Sequence, residues 1–252
     1  MTGVLVAAGA GLGLLVGSYL ATLTLRWPQG RTTSSGRSAC DGCARPLAFY
    51  ELVPLLSFAV LRGRCRTCAA AIDQRHPLIE IAAALIGGAA LWASPDMHGF
   101  LGAIFGWALL TLAILDLEHF WLPDALTLPL ILVGLALGVG FAPSLTDRLI
   151  GAAVGWSLLA GIAFLYQYLR GRQGLGGGDP KLFAAIGAWL GWVALPLVLT
   201  TAALIGLLAV AVARLRGREI TGATRLPFGA PLAIAGWLIW LADSVARPVI
   251  LQ

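Results

Sequence analysis

"LFAAIGAWLGWVALPLVLTTAALIGLLAVAVA", residues 182–213, runs for 32 positions without a charged side chain. Whether it forms one helix or two decides the topology of the chain. At about 1.5 Å per residue a single helix would reach about 48 Å, too long for a hydrocarbon core of about 30 Å without severe mismatch. Pro196 offers a natural break, because an interior proline removes a backbone hydrogen bond and crowds the preceding turn. We therefore read two short helices, 182–196 and 197–213.

The rest of the chain calls for the same solvent. Hydrophobic residues make up 59% and charged ones 12% of 252 residues, and the mean hydropathy is +0.87. A soluble domain of this size needs about twice that charge to cover its surface. Further apolar runs fall at 3–25, 78–94, 100–115, 125–142, 149–168 and 229–246; the polar turn "SPDMHG", 94–99, separates the second from the third. The expectation is an all-α polytopic membrane protein with about eight transmembrane helices.

The basic residues test that count independently, because cytoplasmic loops carry the Lys/Arg excess. With eight helices and both termini outside, the inner side holds Arg26, Arg31, Arg37, Arg45, Arg62, Arg64, Arg66, Arg75, Arg170, Arg172, Lys181, Arg214, Arg216, Arg218 and Arg225. Only Arg148 and Arg247 fall outside. Orientation thus accounts for the net charge of +5, and no nucleic-acid partner is needed. The first run lacks a basic start and is followed by Arg26 and Arg31, so it reads as a retained anchor rather than a cleaved signal. Three regions follow: a first transmembrane helix, 1–26; a cytoplasmic loop, 27–77; and a seven-helix membrane core, 78–252.

All four cysteines lie in that loop, as "CDGC" at 40–43 and "CRTC" at 65–68, with 21 residues between the pairs. Cytosolic thiols stay reduced, and two Cys-x-x-Cys pairs suit a closed tetrahedral site. Cys40, Cys43, Cys65 and Cys68 are thus the expected ligands of a structural zinc ion, with a redox switch as the alternative. The intervening "ARPLAFYELVPLLSFAVLRG", 44–63, reads either as an interfacial segment on the membrane or as a small core around the metal.

Two acidic positions stand out. "GLGGGDPKL", 174–182, matches neither a dinucleotide-binding nor a P-loop pattern. Its simplest reading is a helix start, with Asp179 as N-cap and Pro180 at the first helical position. Asp116, at the end of the apolar run "TLAIL", 111–115, is expected inside the last turn of the third span, where an ionisable group is a functional suspect. The topology brings both to the inner face. A close carboxylate pair shares a proton, so that one member activates water while the other polarises a peptide carbonyl. Glycines before Asp179 would let a substrate backbone approach. Asp124, after Pro123, reads as a cap or a substrate contact; Glu80 and Asp243 read as interface residues, and His119 beside Glu118 as an interfacial polar group.

These segments together resemble the prepilin peptidases, or type IV leader peptidases, of the G-x-G-D membrane aspartyl protease group. The resemblance takes in the paired cysteines with "LVPLLSFAVLRGRCRTC", 52–68, "HPLIE", 76–80, "DLEHFWLPDALTLP", 116–129, the glycine–aspartate stretch, and "LPFGAPLA", 226–233. It implies Asp116 and Asp179 as the catalytic pair and Gly176 and Gly178 as motif glycines, with Lys181 and Asp124 supporting substrate or loop. It implies cleavage of pilin-like or pseudopilin precursors in a prokaryotic cytoplasmic membrane, at the cytosolic face, and in many members N-methylation with S-adenosylmethionine. The sequence departs from the family pattern at Ala21, Leu175 and the inserted Ala230. A proton-coupled transporter using the same acids, and a zinc-stapled scaffold for a pilus or secretion assembly, are the competing readings.

Overall fold

The computed structural model describes residues 2–31, 33, 38–40, 42–172, 174–217 and 226–246. Arg37, Arg218, Arg225 and Arg247, all used above to orient the chain, lie outside the described residues, as does the C-terminal segment. Among the described residues the structure is helical, with isolated β-bridges only in the cysteine loop. It divides into two compact units, Met1–Trp107 and Ala108–Gln252.

In the first unit, α1 (Thr2–Arg26) packs along α3 (Arg75–Ala93). The contact is a row of small residues. A β-carbon on Gly17 would lie 2.7 Å from Glu80 Cα, and one on Gly13 would collide with the Ala83 backbone. Close backbone approach replaces the hydrophobic effect as the glue between helices in lipid. The loop between them carries a 3₁₀ turn, Phe49–Leu52, and the short helix α2 (Leu56–Val60). Trp107, early in α4 (Met97–His119), donates its indole N–H to Ala83 O at 2.8 Å. Asp96 starts α4 by accepting from Gly99 N at 3.1 Å and from Ser94 Oγ at 2.9 Å.

The second unit is built around α7 (Asp179–Leu190), ten of whose twelve residues are buried. Around it stand α5 (Asp124–Leu137), α6 (Leu145–Arg170) and α9 (Gly229–Ala246), while α8 (Leu195–Leu215) packs on α9. Ser144 caps α6, its hydroxyl accepting from Asp147 N at 3.3 Å, and Gly171 ends it with φ 67°. Gly151 and Gly187 bring α6 and α7 into backbone contact; a β-carbon on either would strike the other's carbonyl. The outward faces of α6 and α8 expose Phe164, Leu165, Leu204 and Leu207, a surface that needs lipid.

The apolar stretch 182–213 does divide, but not at the expected residue. The first helix stops at Leu190, and Gly191 follows with φ 77°, a conformation that favours glycine. Pro196 instead lies in the first turn of α8, where its missing N–H has no intrahelical partner to lose. Among the described residues six helices are long and apolar enough to cross a membrane: α1, α3, α4, α6, α8 and α9. The other two expected spans are present as shorter helices. At 14 and 12 residues, α5 and α7 run about 21 and 18 Å, less than the hydrocarbon thickness.

Arg148, one of two basic residues assigned to the outer side, is 2% exposed. Its guanidinium donates to the carbonyls of Gly134 (2.9 Å), Ala188 (3.0 Å), Pro143 (2.9 Å) and Ala142 (3.2 Å). It thereby ties the C-terminal ends of both short helices. Its guanidinium thus satisfies four backbone carbonyls.

Candidate active site and metal centre

The four cysteine sulfurs lie within 4.8 Å of one another, and Cys40 and Cys68 Sγ are 3.7 Å apart. A tetrahedron with metal–sulfur bonds of about 2.3 Å has edges of about 3.8 Å, so this cluster can hold one metal ion. The separation is far beyond a disulfide, and the cysteines are free.

The two pairs form matching knuckles. Ala44 N donates to Cys40 O (2.8 Å) and Cys40 N to Arg45 O (2.9 Å); Ala69 N donates to Cys65 O (3.0 Å) and Cys65 N to Ala70 O (2.8 Å). The backbone N–H groups of Cys68 and Thr67 lower the Cys65 thiol, whereas at Cys68 burial and the neighbouring thiols outweigh the Ala70 N–H and raise it. Arg45 chelates Glu51 through two hydrogen bonds, of 2.7 and 3.0 Å, and Ala48 N adds a third. The guanidinium, then the Ala48 N–H, hold that carboxyl near 2.

Each knuckle ends on an alanine at φ 56°, in the left-handed region. That conformation costs an L-residue about 1 kcal/mol. Ala44→Gly with Ala69→Gly is therefore expected to stabilise the metal-bound loop by about 1 kcal/mol per site, less the extra entropy of unfolded glycine. Slower metal loss to a chelator, followed by colorimetric metal assay, would show it; faster loss would refute it.

In the second unit, Asp116 lies in the last turn of α4 and Asp179 in the first turn of α7, at 5% and 4% exposure. Asp116 Oδ2 accepts from Ala230 N at 2.8 Å, and the Gly229 N–H also faces it, so this carboxylate rests on the N-terminus of α9. Asp179 Oδ2 accepts from Gly176 N at 3.0 Å, and Asp179 N donates to Gly176 O at 3.2 Å. Asp179 does not cap its helix: Gly178 is the N-cap residue, and the carboxylate folds back onto the glycine loop. Asp124 likewise follows the cap residue Pro123.

Leu122 joins the two halves. A β-carbon on Gly178 would lie 2.6 Å from Leu122 Cβ, and one on Gly229 would lie 2.9 Å from Leu122 Cδ1 and 2.9 Å from Asp116 Oδ2. The same side chain thus packs against the residue preceding Asp179 and the residue under Asp116, which brings the two carboxylates into one buried neighbourhood. Gly178 is required by space. Gly176 is under a looser demand, its β-carbon meeting Asp179 Oδ2 at an ordinary 3.4 Å. Lys181 and Asp124 meet each other: Lys181 Nζ lies 2.6 and 2.8 Å from the Asp124 oxygens. This half-exposed pair links the first turns of α5 and α7 and is worth at most about 1 kcal/mol in stability.

Sequence reasoning assigned no role to Leu122, Gly229 or Ala230. "LPFGAPLA" was present as a matching segment, but its function depends on a contact across more than a hundred residues. Gly229→Ala is expected to push the Asp116 carboxylate off its α9 seat and to lower any activity of the pair by about 100-fold, the usual cost of a misplacement of about 1 Å. A steady-state rate within a factor of about two of the parent would show that this seat is irrelevant.

The bacterial peptidase A24 N-terminal domain model matches residues 12–94, and the type IV leader peptidase family model matches residues 103–211. The chain is similar to proteins named prepilin leader peptidase/N-methyltransferase. That of Aeromonas hydrophila is 42% identical over 84% of this chain and 73% of its own length. That of Pseudomonas aeruginosa is 38% identical over 94% and 90%, and that of Neisseria gonorrhoeae 36% identical over 97% and 93%. No solved structure matches. Its long apolar helices make the chain a polytopic membrane protein. The chain belongs to the type IV leader peptidase family.

Proposed function

We propose that this protein is a prepilin leader peptidase, an aspartic endopeptidase that removes the basic leader from type IV pilin-like precursors at the cytosolic face of the inner membrane. The observation that carries this reading is the pair Asp116 and Asp179, each buried, each held by backbone N–H groups, and joined through Leu122. With both termini outside and the short helices α5 and α7 counted beside the six long ones, this pair would lie at the inner boundary. A precursor whose apolar helix stays in the bilayer presents its scissile bond at that depth.

In the proposed reaction one carboxyl carries a proton and the other is ionised. The ionised group takes a proton from water as the water oxygen bonds to the scissile carbonyl carbon. The protonated group gives its proton to the carbonyl oxygen, forming a gem-diol. The first carboxyl then gives the proton it took from water to the departing nitrogen as the C–N bond breaks, and a diol hydroxyl returns its proton to the second, which restores the pair. Because the donors are aimed before substrate arrives, little reorganisation is needed at the moment of reaction.

The cysteine cluster would hold zinc, whose contribution is to cross-link a loop with little core of its own. Methyl transfer to the new N-terminus is proposed from the relatives' names alone. An apolar groove of about 410 Å³ on α8, lined by residues including Leu208, Val212 and Arg216, does not suit a charged sulfonium cofactor. Mass spectrometry of the N-terminus of a co-expressed type IV pilin precursor tests the proposal. Loss of the leader is expected, and an added 14 Da would report methylation. An intact leader in the presence of inserted, zinc-loaded protein would overturn the peptidase reading.

A further inference from the structure

Between the two cysteine knuckles the chain turns an apolar surface outward. Phe49 is 84%, Val60 72% and Leu56 61% exposed, with Tyr50, Leu52 and Val53 beside them. This excludes a core packed around the metal as the role of these side chains. What covers them follows from where the segment is tied. Leu55 N donates to Glu80 Oε2 at 2.8 Å, and Glu80 is 5% exposed on α3. Glu80 lies five residues into a membrane helix that begins at Arg75, about 7.5 Å along its axis. Amphipathic segments settle about 5–10 Å into the boundary between headgroups and acyl chains.

Leu55 itself has φ 58°, so its backbone is bent into a conformation unfavourable for leucine. The buried carboxylate holds that bend by satisfying its N–H. Immediately after the apolar residues come Arg62, Arg64 and Arg66, all exposed, which is the arrangement that anionic headgroups complement. Leu78 and Ile81, at the same level of α3, are also exposed and apolar, so the surface continues into the lipid-facing side of the helix.

We propose that residues 49–60 seat on the bilayer interface, that Glu80 sets their depth through Leu55, and that lipid rather than another protein covers them. The inference rests on the membrane crossing of α3 and is independent of the peptidase reading. The test uses the full chain in nanodiscs of phosphatidylcholine and phosphatidylglycerol. The photoreactive p-benzoylphenylalanine replaces, one at a time, Phe49, Val60, Leu78 as a lipid-facing reference, and Asp73 as a water-facing one. After irradiation, peptide mass spectrometry is expected to find lipid adducts at 49 and 60 comparable with 78 and on the order of tenfold above 73.

Adducts to a second copy of the chain, or to added pilin precursor, in place of lipid would overturn the proposal. Labelling at 49 and 60 no higher than at 73 would also overturn it. Glu80→Ala tests the depth. Adducts at 49 and 60 should fall about tenfold, as for a lost charge-assisted hydrogen bond, while those at 78 persist. Undiminished labelling at 49 and 60 would remove Glu80 from the account.

Discussion

Asp116→Asn and Asp179→Asn should each reduce precursor cleavage by on the order of a thousandfold or more while leaving the protein inserted and folded. The substitution keeps side-chain size, which matters at 5% and 4% exposure, and an asparagine oxygen can still accept from Ala230 N or Gly176 N. What is lost is the ability to take up and release a proton. Because the two groups act as a unit, the double variant should be little slower than either single one. Time-resolved mass spectrometry of precursor and product measures this. Near-normal processing by either single variant would dissolve the pair as a catalytic device. The competing readings separate on further measurements. A scaffold would tolerate both asparagines and fail on loss of the cysteines, whereas a transporter would show ion flux in proteoliposomes.

The second large effect is on stability. Arg148→Met should destabilise the protein by on the order of 4 kcal/mol, because the carbonyls of Gly134 and Ala188 lose their donor away from water. Methionine fills much of the space, so the loss reports the backbone oxygens rather than a cavity. Arg148→Lys should recover only part of it, since an ammonium cannot reach four divergent carbonyls. Thermal unfolding in a fixed detergent would give the order parent, Lys, Met. A Met variant as stable as the parent would show that water satisfies those groups.

The positions of the helices were legible from the apolar runs. Apolar runs mark where helices form, and the clustering of arginines between them gives an expected threading. The structure places helices at all of the expected runs. It also shows what such signals miss. The division of 182–213 falls at Gly191 because only the fold demands a φ of 77° there, whereas Pro196 looks like a breaker from its chemistry alone. Asp179 and Asp124 look like caps because a helix start follows, yet the residues before them hold the cap positions. The expectation from sequence was that Asp116 and Asp179 lie at one membrane face; the structure shows both buried beside Leu122. The sequence carried no sign of Leu122 as the piece between them, since one leucine among many acquires a role only through long-range packing. In the loop, the spacing of the cysteines was sufficient to anticipate a four-sulfur cluster that can hold a metal ion, because each knuckle is a local structure.

The brevity of α7 has a bearing on which bilayers this protein can inhabit. A helix wrapped by α5, α6 and α9 need not match the acyl-chain thickness of its host, because almost none of its surface meets lipid. Changes in membrane composition are felt instead by the outward sides of α6 and α8, while the element bearing Asp179 is referenced only to its protein neighbours. Turnover should therefore stay nearly constant across phospholipids of differing tail length.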